Sequence, residues 1–483
     1  MPDNENKKTS EKKYVSGRRN LFGRTQIFTD VDEITAENVV DVLNRATAIH
    51  FKNKNEINYL YDYYRGKQPI IDRIKEIRPE ICNVIVENWA NAIVSFKVGY
   101  LCSSPVQYIS ATKGNDEISK NVDILNDYME NDCKSAKDRD LFEWQMICGT
   151  SYRAAFPDEL NVFESFIPDP RECFVIYSNK LGKKPLGGVY VTQNVSPVKE
   201  TIYTVYTDKY IFTVKDRTVE TEPHIMGMIP IIEYPANNAR LGSFEIVLDI
   251  LNAINNIDSN RLDGVEQFIQ SLMIIYNATL GDETANSIRE KGLIELKSVG
   301  EAKADVKILN EQLNQDQTQT LKEDLIQRMR EIVGLPSQGD GNTGDSSNNG
   351  AQILKGGWEN AETRAKDSTT MFKRSERSYI KLILSILTRK SLIKLSPMEV
   401  EPSFTRWNYE NIQVKAQVLT MMLASEKIAP KLAFESCGMF IDPEQAYRES
   451  MAYFEDNYDR RTEQSTDGVD DNGEGLKGQE ETV

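Results

Sequence analysis

The sequence predicts an α+β fold, mainly α, and three features carry that prediction. Apolar residues recur with helical period before residue 151 and again after residue 243. Between them, over residues 151–235, the pattern changes to period-2, β-branched runs separated by turn residues. The chain has 483 residues, 40% hydrophobic and 9% aromatic, which is enough for a real core and several domains.

Residues 1–30 are polar and lysine-rich, so they predict an arm that is loose unless a partner holds it. Thr35 then reads as the N-cap of a helix carrying Val39, Val42, Leu43 and Ala46. A second helix carries Ile57, Leu60, Tyr61 and Tyr64 and stops at Gly66. Helices are also expected from Ile81 to Tyr100 and from Ile118 to Gly149. The runs "ECFVIYSN", "LGGVYVTQ", "ETIYTVYTD" and "KYIFTVKD" predict an antiparallel meander that ends with "MIPIIEYP".

From Ser243 to Tyr276 the apolar positions keep a helical period over about 34 residues, or about 50 Å. The opposite face carries Glu245, Asp249, Asn252, Asn256, Asp263 and Gln267, a polar-to-acidic stripe without lysine. A small helix over 282–291 and strands "GLIELKS" and "ADVKILN" follow, making an α/β knob. Leu321, Leu325, Met329 and Val333 mark the next helix. The stretch "GLPSQGDGNTGDSSNNG", residues 334–350, has five glycines and almost no apolar side chain, so it reads as a mobile loop. A helix of about 60 Å is expected from Ala351 to Arg389, basic in its later half. A helical block spans Asn411 to Phe454, and the chain beyond Asp456 reads as an acidic disordered tail.

Charge and chemistry narrow the function. Lys and Arg number 58 against 74 Asp and Glu, a formal charge of −16, which argues against a simple basic DNA-gripping protein. The six cysteines form no C-x-x-C pair and read as reduced core thiols; no run reaches membrane-spanning length, so the expectation is a soluble, cytoplasmic chain. Walker, H-E-x-x-H, G-x-S-x-G and EF-hand spacings are absent, so no catalytic residue, metal site or cofactor is expected. Asp30/Asp32 and Asp470/Asp471 read as solvated charge, and His50 and His224 as structural. Tyr59, Tyr61, Tyr63 and Tyr64 read as packing groups, with a base-stacking platform as the alternative. The basic half of the 351–389 helix could bind nucleic acid, but its interleaved acids Glu362, Asp367 and Glu376 favour a solvated or subunit-pairing face.

The ordered segments "YLYDYYRGKQPI", "NVIVENWANAIVSFKVGYLCSSPVQY", "FVIYSNKLGKKPLGGVYV" and "IPIIEYPANNARLGSFEIVLDILNAINNIDSNRLDGVEQF" resemble the portal proteins of tailed bacteriophages, in the branch typical of siphophages of Gram-positive hosts. The likeness covers roughly Glu56 to Phe454. It implies a portal fold: an N-terminal arm (1–30), a β-containing wing (31–242, with an α-rich part 31–150 and a meander 151–235), a stem helix (243–276) and an α/β clip (277–312). A second stem helix (313–333), a tunnel loop (334–350), a spine helix (351–390), a helical crown (391–455) and an acidic tail (456–483) complete it. It further implies a non-enzymatic, usually dodecameric ring at one capsid vertex through which double-stranded DNA is packaged and ejected. The implied partners are the terminase large subunit, a head-completion adaptor, and scaffolding and major capsid proteins, in the virion and, during assembly, in the host cytoplasm. Gly339, Asp340, Asn342, Asp345, Ser346, Ser347, Asn348 and Asn349 would then face DNA in the tunnel loop. Glu245, Asp249, Asn252, Asn256 and Asp263 would line the channel, because acidic walls do not hold phosphate. The rival readings are a packaging nuclease or ATPase, and a non-conducting head–tail adaptor or scaffold.

Overall fold

The computed structural model describes residues 21–76, 78–112, 115–194, 200–216, 218–269, 272–276, 305–309, 315–336, 358–404, 412–425, 427–440 and 442–466. Strand β1 (Ile27–Thr29) precedes α1 (Val39–Tyr64), a single helix where two were expected. Asn53 accounts for the difference. Its side chain is buried and bonds both the N–H and the carbonyl of Thr25, at 2.9 and 2.8 Å. The polar run around it is therefore a docking point rather than a break.

The expected 118–149 helix is in fact two, α3 (Asp116–Asn131) and α4 (Lys134–Cys148). Between them Cys133 takes a left-handed φ of 54°, and the Asp132 carboxylate accepts the Ser165 backbone N–H at 3.0 Å. Helix α4 stops at Gly149, whose φ is 79° and where a Cβ would lie 2.1 Å from the Arg240 carbonyl oxygen. Only glycine fits there.

Strands β5 (Cys173–Ser178), β6 (Pro185–Asn194), β7 (Glu200–Tyr206) and β8 (Tyr210–Lys215) form the expected antiparallel meander, with β9 (Thr218–Pro223) added beside β8 and β1 added in parallel beside β5. The expected final strand departs from it. Strand β10 (Ile231–Pro235) pairs instead with β3 (Thr150–Pro157), which also carries β4 (Phe163–Phe166). The two sheets come close at Gly188, where a Cβ would stand 2.6 Å from Cβ of Ile231.

Helix α5 (Leu248–Ile269) follows, then β11 (Leu272–Tyr276) and β12 (Asp305–Leu309), which pair antiparallel. Helices α6 (Gln315–Val333) and α7 (Trp358–Arg389) come next. Strand β13 (Val400–Ser403) pairs with β2 (Gln107–Ser110), and α8 (Ile412–Leu423), α9 (Pro430–Cys437) and α10 (Pro443–Thr466) pack in sequence.

Helix α7 runs through the main core, burying Phe372, Tyr379, Ile380, Ile383, Leu384 and Leu387. At its middle Glu376 is fully buried in a cluster with Lys134, Asp138 and Arg153. Tyr108 and Tyr234 donate their hydroxyls to the two Glu376 oxygens at 2.6 and 2.7 Å. Burial pushes the Glu376 carboxyl upward, but Lys134 and Arg153 outweigh it and hold the group ionised, below its usual value. Two cations and two anions thus pin α7 to α4 and β3.

Removing one member leaves an uncompensated buried charge. Glu376→Leu is expected to cost about 3–5 kcal/mol, read as a lower urea midpoint at unchanged slope. Glu401→Ala, which breaks the exposed Lys373–Glu401 pair, is expected to cost under about 1 kcal/mol in the same assay.

Candidate functional site

The candidate site is the α5/α6 pair with the chain that braces it. The two helices run antiparallel: Arg261 bonds Gln319 at 2.7 Å, Lys322 bonds Asp258 at 2.8 Å, and Met329 and Val333 pack in one core with Val247 and Leu251. The long expected helix over 243–276 is shorter than predicted. It begins after a 3₁₀ turn at Glu245–Val247, ends at Ile269, and its last apolar run has become β11. Continuous apolar runs do not separate helix from strand by period, and the paired Ile274 and Ile275 suit a strand. The expected 304–310 strand is β12, its partner is β11, and the expected elements at 282–291 and 292–298 lie outside the described residues.

Ile81 to Asn88 also departs from the expected helix. Residues 82–88 are neither helix nor strand, and α2 (Trp89–Leu101) starts only where the Asn88 side chain accepts the Asn91 N–H. This segment lies along α5. Asn83 N–H donates to Asp263 Oδ1 at 2.7 Å, Ile85 N–H to Ser259 Oγ at 3.0 Å, and Glu87 N–H to Asn255 Oδ1 at 2.8 Å. Alternate residues of the segment thus meet every fourth residue of the helix, in opposite directions. Two further contacts extend the row: Asn255 Nδ2 donates to Gln68, and Tyr63 OH to Asn252 at 2.9 Å.

Three of the five expected channel-lining residues are occupied within this chain. Glu245, Asn252 and Asp263 are buried against the chain itself. Glu245 accepts from Arg24 at 2.7 Å, and Asp263 is ion-paired with Arg73 and Lys75. Helical period by itself gives no hint of a segment lying on this face. Asp249 is exposed and Asn256 half-buried. The expected tunnel-loop residues Gly339, Asp340, Asn342, Asp345, Ser346, Ser347, Asn348 and Asn349 lie outside the described residues, as do 351–357 of the expected spine helix.

Burial raises the Asp263 carboxyl, but Lys75 and the Asn83 donors hold it below its ordinary value. A depressed folded-state value stabilises above the unfolded-state pKa and ceases to do so as pH falls through it. Lys322 bridges Glu87 and Asp258, tying the 82–88 segment to both helices. Burial and the neighbouring Glu87 raise the Asp258 carboxyl, while the donors around Glu87 keep that group ionised despite its own burial.

Elsewhere the structure gives packing roles. His50 stacks on Phe174 and meets the Arg171 carbonyl at 3.0 Å, and burial lowers its pKa to about 4. His224 meets the Thr207 carbonyl at 2.8 Å. Tyr61 stacks on Trp144, and Tyr64 donates to Glu143 at 3.0 Å. Among the described residues, no group of three or more His, Cys, Asp or Glu is placed to hold a metal ion, and no helix is long and apolar enough to cross a membrane. Ser259→Ala is expected to orphan the Ile85 N–H, costing about 1–3 kcal/mol. Hydrogen exchange should show Ile85 and its neighbours losing protection while Leu43 in α1 keeps its own.

No curated protein sequence matches this chain. A solved structure described as the neck of an empty GTA particle computed with C6 symmetry aligns with 13% identity and a TM-score of 0.44, over 72% of this chain and 90% of that one. A family model described as phage portal protein, SPP1 Gp6-like, matches residues 43–459. With the match running from α1 to α10, the chain belongs to this family of phage portal proteins, and its function is that of a portal, a structural connector between phage head and tail.

Proposed function

We propose that about twelve copies of this chain, from a siphophage of a Gram-positive host, form a ring at one capsid vertex that conducts double-stranded DNA in packaging and ejection. In this reading α5 and α6 are the stem, β11 and β12 begin the clip, α7 is the spine, α8 to α10 are the crown, and the preceding blocks are the wing. The clip meets the terminase large subunit and later a head-completion adaptor; scaffolding and major capsid proteins surround the ring, which assembles in the host cytoplasm.

The observation that carries this reading is the α5/α6 pair inside a family match that spans it. Twelve helices at about 10 Å spacing close a circle about 38 Å across. Subtracting a helix radius of about 5 Å on each side leaves a bore of about 28 Å, enough to pass a duplex.

With the stripe of α5 largely consumed, the acidic wall falls to α6, whose Asp316, Glu323, Asp324 and Glu331 are exposed. A wall that neutralises few phosphates releases few counterions, so it adds little friction to a moving duplex.

Purified protein is expected to form closed rings of about twelve subunits in negative-stain images and native mass spectra; a monomer at every concentration would overturn the reading. Glu323→Lys with Glu331→Lys is expected to leave rings intact and to slow DNA packaging more at low than at high salt. Equal packaging at both salts would show that α6 does not face the lumen.

A further inference from the structure

We infer that the cationic face of α7 is the ring-forming contact, and that its occupant is the acidic face of α3 on a second copy of this chain; the inference rests on the ring reading above.

Arg374, Arg377 and Lys381 are exposed and follow one another at i, i+3 and i+7, a stripe about 10.5 Å long. None of the three has an ion-pair partner among the described residues. The acid that interleaves them in sequence, Glu376, points the other way into the buried cluster, so from 374 to 381 the outward face is cationic. An unopposed basic face is unexpected on a chain of net charge −16.

Helix α3 presents the complement. Asp123, Asp127 and Glu130 are exposed at i, i+4 and i+7, again about 10.5 Å. Like charges four residues apart destabilise a helix, and none of the three has an ion-pair partner among the described residues. Partial burial raises the Asp123 carboxyl, and Asp127, Asp442 and Glu449 raise it further.

The two faces belong to different elements of the chain, α7 and α3. On one flank of α7, Lys373 pairs with Glu401 of β13 at 3.4 Å, β13 pairs with β2, and Asn126 of α3 bonds both backbone groups of Tyr108 in β2. On its other flank, Arg374 and Ser378 line a cleft of about 690 Å³ with Lys183 and Lys184. On a helix of 3.6 residues per turn Arg377, Lys381 and Arg374 stand about 40°, 80° and 100° from Lys373, so the stripe lies between that contact and the cleft. A head-to-tail ring needs two different, mutually complementary surfaces on each subunit, and this chain carries such a pair.

The test uses the full chain with Arg377→Glu/Lys381→Glu, with Asp123→Lys/Asp127→Lys, and with all four changes, each verified as folded by thermal melting. Native mass spectrometry and sedimentation should show each double variant assembling only at concentrations on the order of a hundredfold higher, while the fourfold variant regains rings. A 1:1 mixture of the two double variants should co-assemble although neither does so alone. Double variants that assemble like the wild type, or a fourfold variant no better than the doubles, would overturn the pairing and leave the ring reading standing. A monomeric wild type would defeat the ring reading by itself; the mixture then still decides the pairing, heterodimers supporting it and no association overturning it. Intact assembly of Arg377→Glu/Lys381→Glu with lost binding to a DNA duplex would reassign the face to nucleic acid and overturn the inference.

Discussion

The fit between the 82–88 segment and one edge of α5 is the constraint on which the stem depends. Four residues of helix rise about 6.0 Å and two residues of extended chain about 6.6 Å. Three successive backbone N–H groups at 83, 85 and 87 can therefore reach side-chain acceptors at 263, 259 and 255 before the two repeats drift apart. The helix serves the segment as a neighbouring strand would. Each of those donors would otherwise be a partly buried group without a partner, at a cost of about 1–3 kcal/mol, so the residues at these positions must be short acceptors: Asp, Ser and Asn.

The same economy governs the charges. Arg24 with Glu245, Arg73 and Lys75 with Asp263, and the four-membered group around Arg153 place ionised side chains where water is scarce. Such pairs add little net stability over apolar packing, but they punish any arrangement that separates them. Each joins elements distant in sequence: the arm entry to the start of α5, Arg73 and Lys75 to the later part of α5, and α4 with β3 to α7. Register among these blocks is thereby set by charge as well as by shape.

Much of this was legible from the residues. The helix–meander–helix order, the antiparallel β5 to β8 strands, α6, and the packing roles of the tyrosines and histidines all follow from period and turn chemistry. Three misreadings share one cause. At 82–88, at 272–276 and at Asn53 the local sequence is compatible with more than one state, and a partner remote in sequence decides: α5, β12 and the Thr25 backbone respectively. The stripe on α5 is ambiguous for the same reason. Polarity along a helix shows that a face needs hydrogen-bonding surroundings, but a neighbouring backbone meets that need as well as water does. The tunnel-loop residues stayed where the sequence left them, beyond the described residues.

Net charge is a count, whereas adhesion depends on where cations are spent. On α6 the three cations at 322–330 are all engaged: Lys322 turns inward to Glu87 and Asp258, Arg328 pairs with Asp324, and Arg330 lies 5.5 Å from the centre of the Trp89 ring. What remains outward on that helix is Asp316, Glu323 and Glu331. On α7 the balance is reversed, because its central acid is the one drawn inside. Folding thus sorts a sequence of mixed charge into one anionic helix face and one cationic one. In the proposed ring the first suits a wall that DNA passes, and the second a seam between subunits. Salt would screen both beyond about 10 Å, so each acts only at contact range, where a groove phosphate or a neighbouring helix would lie.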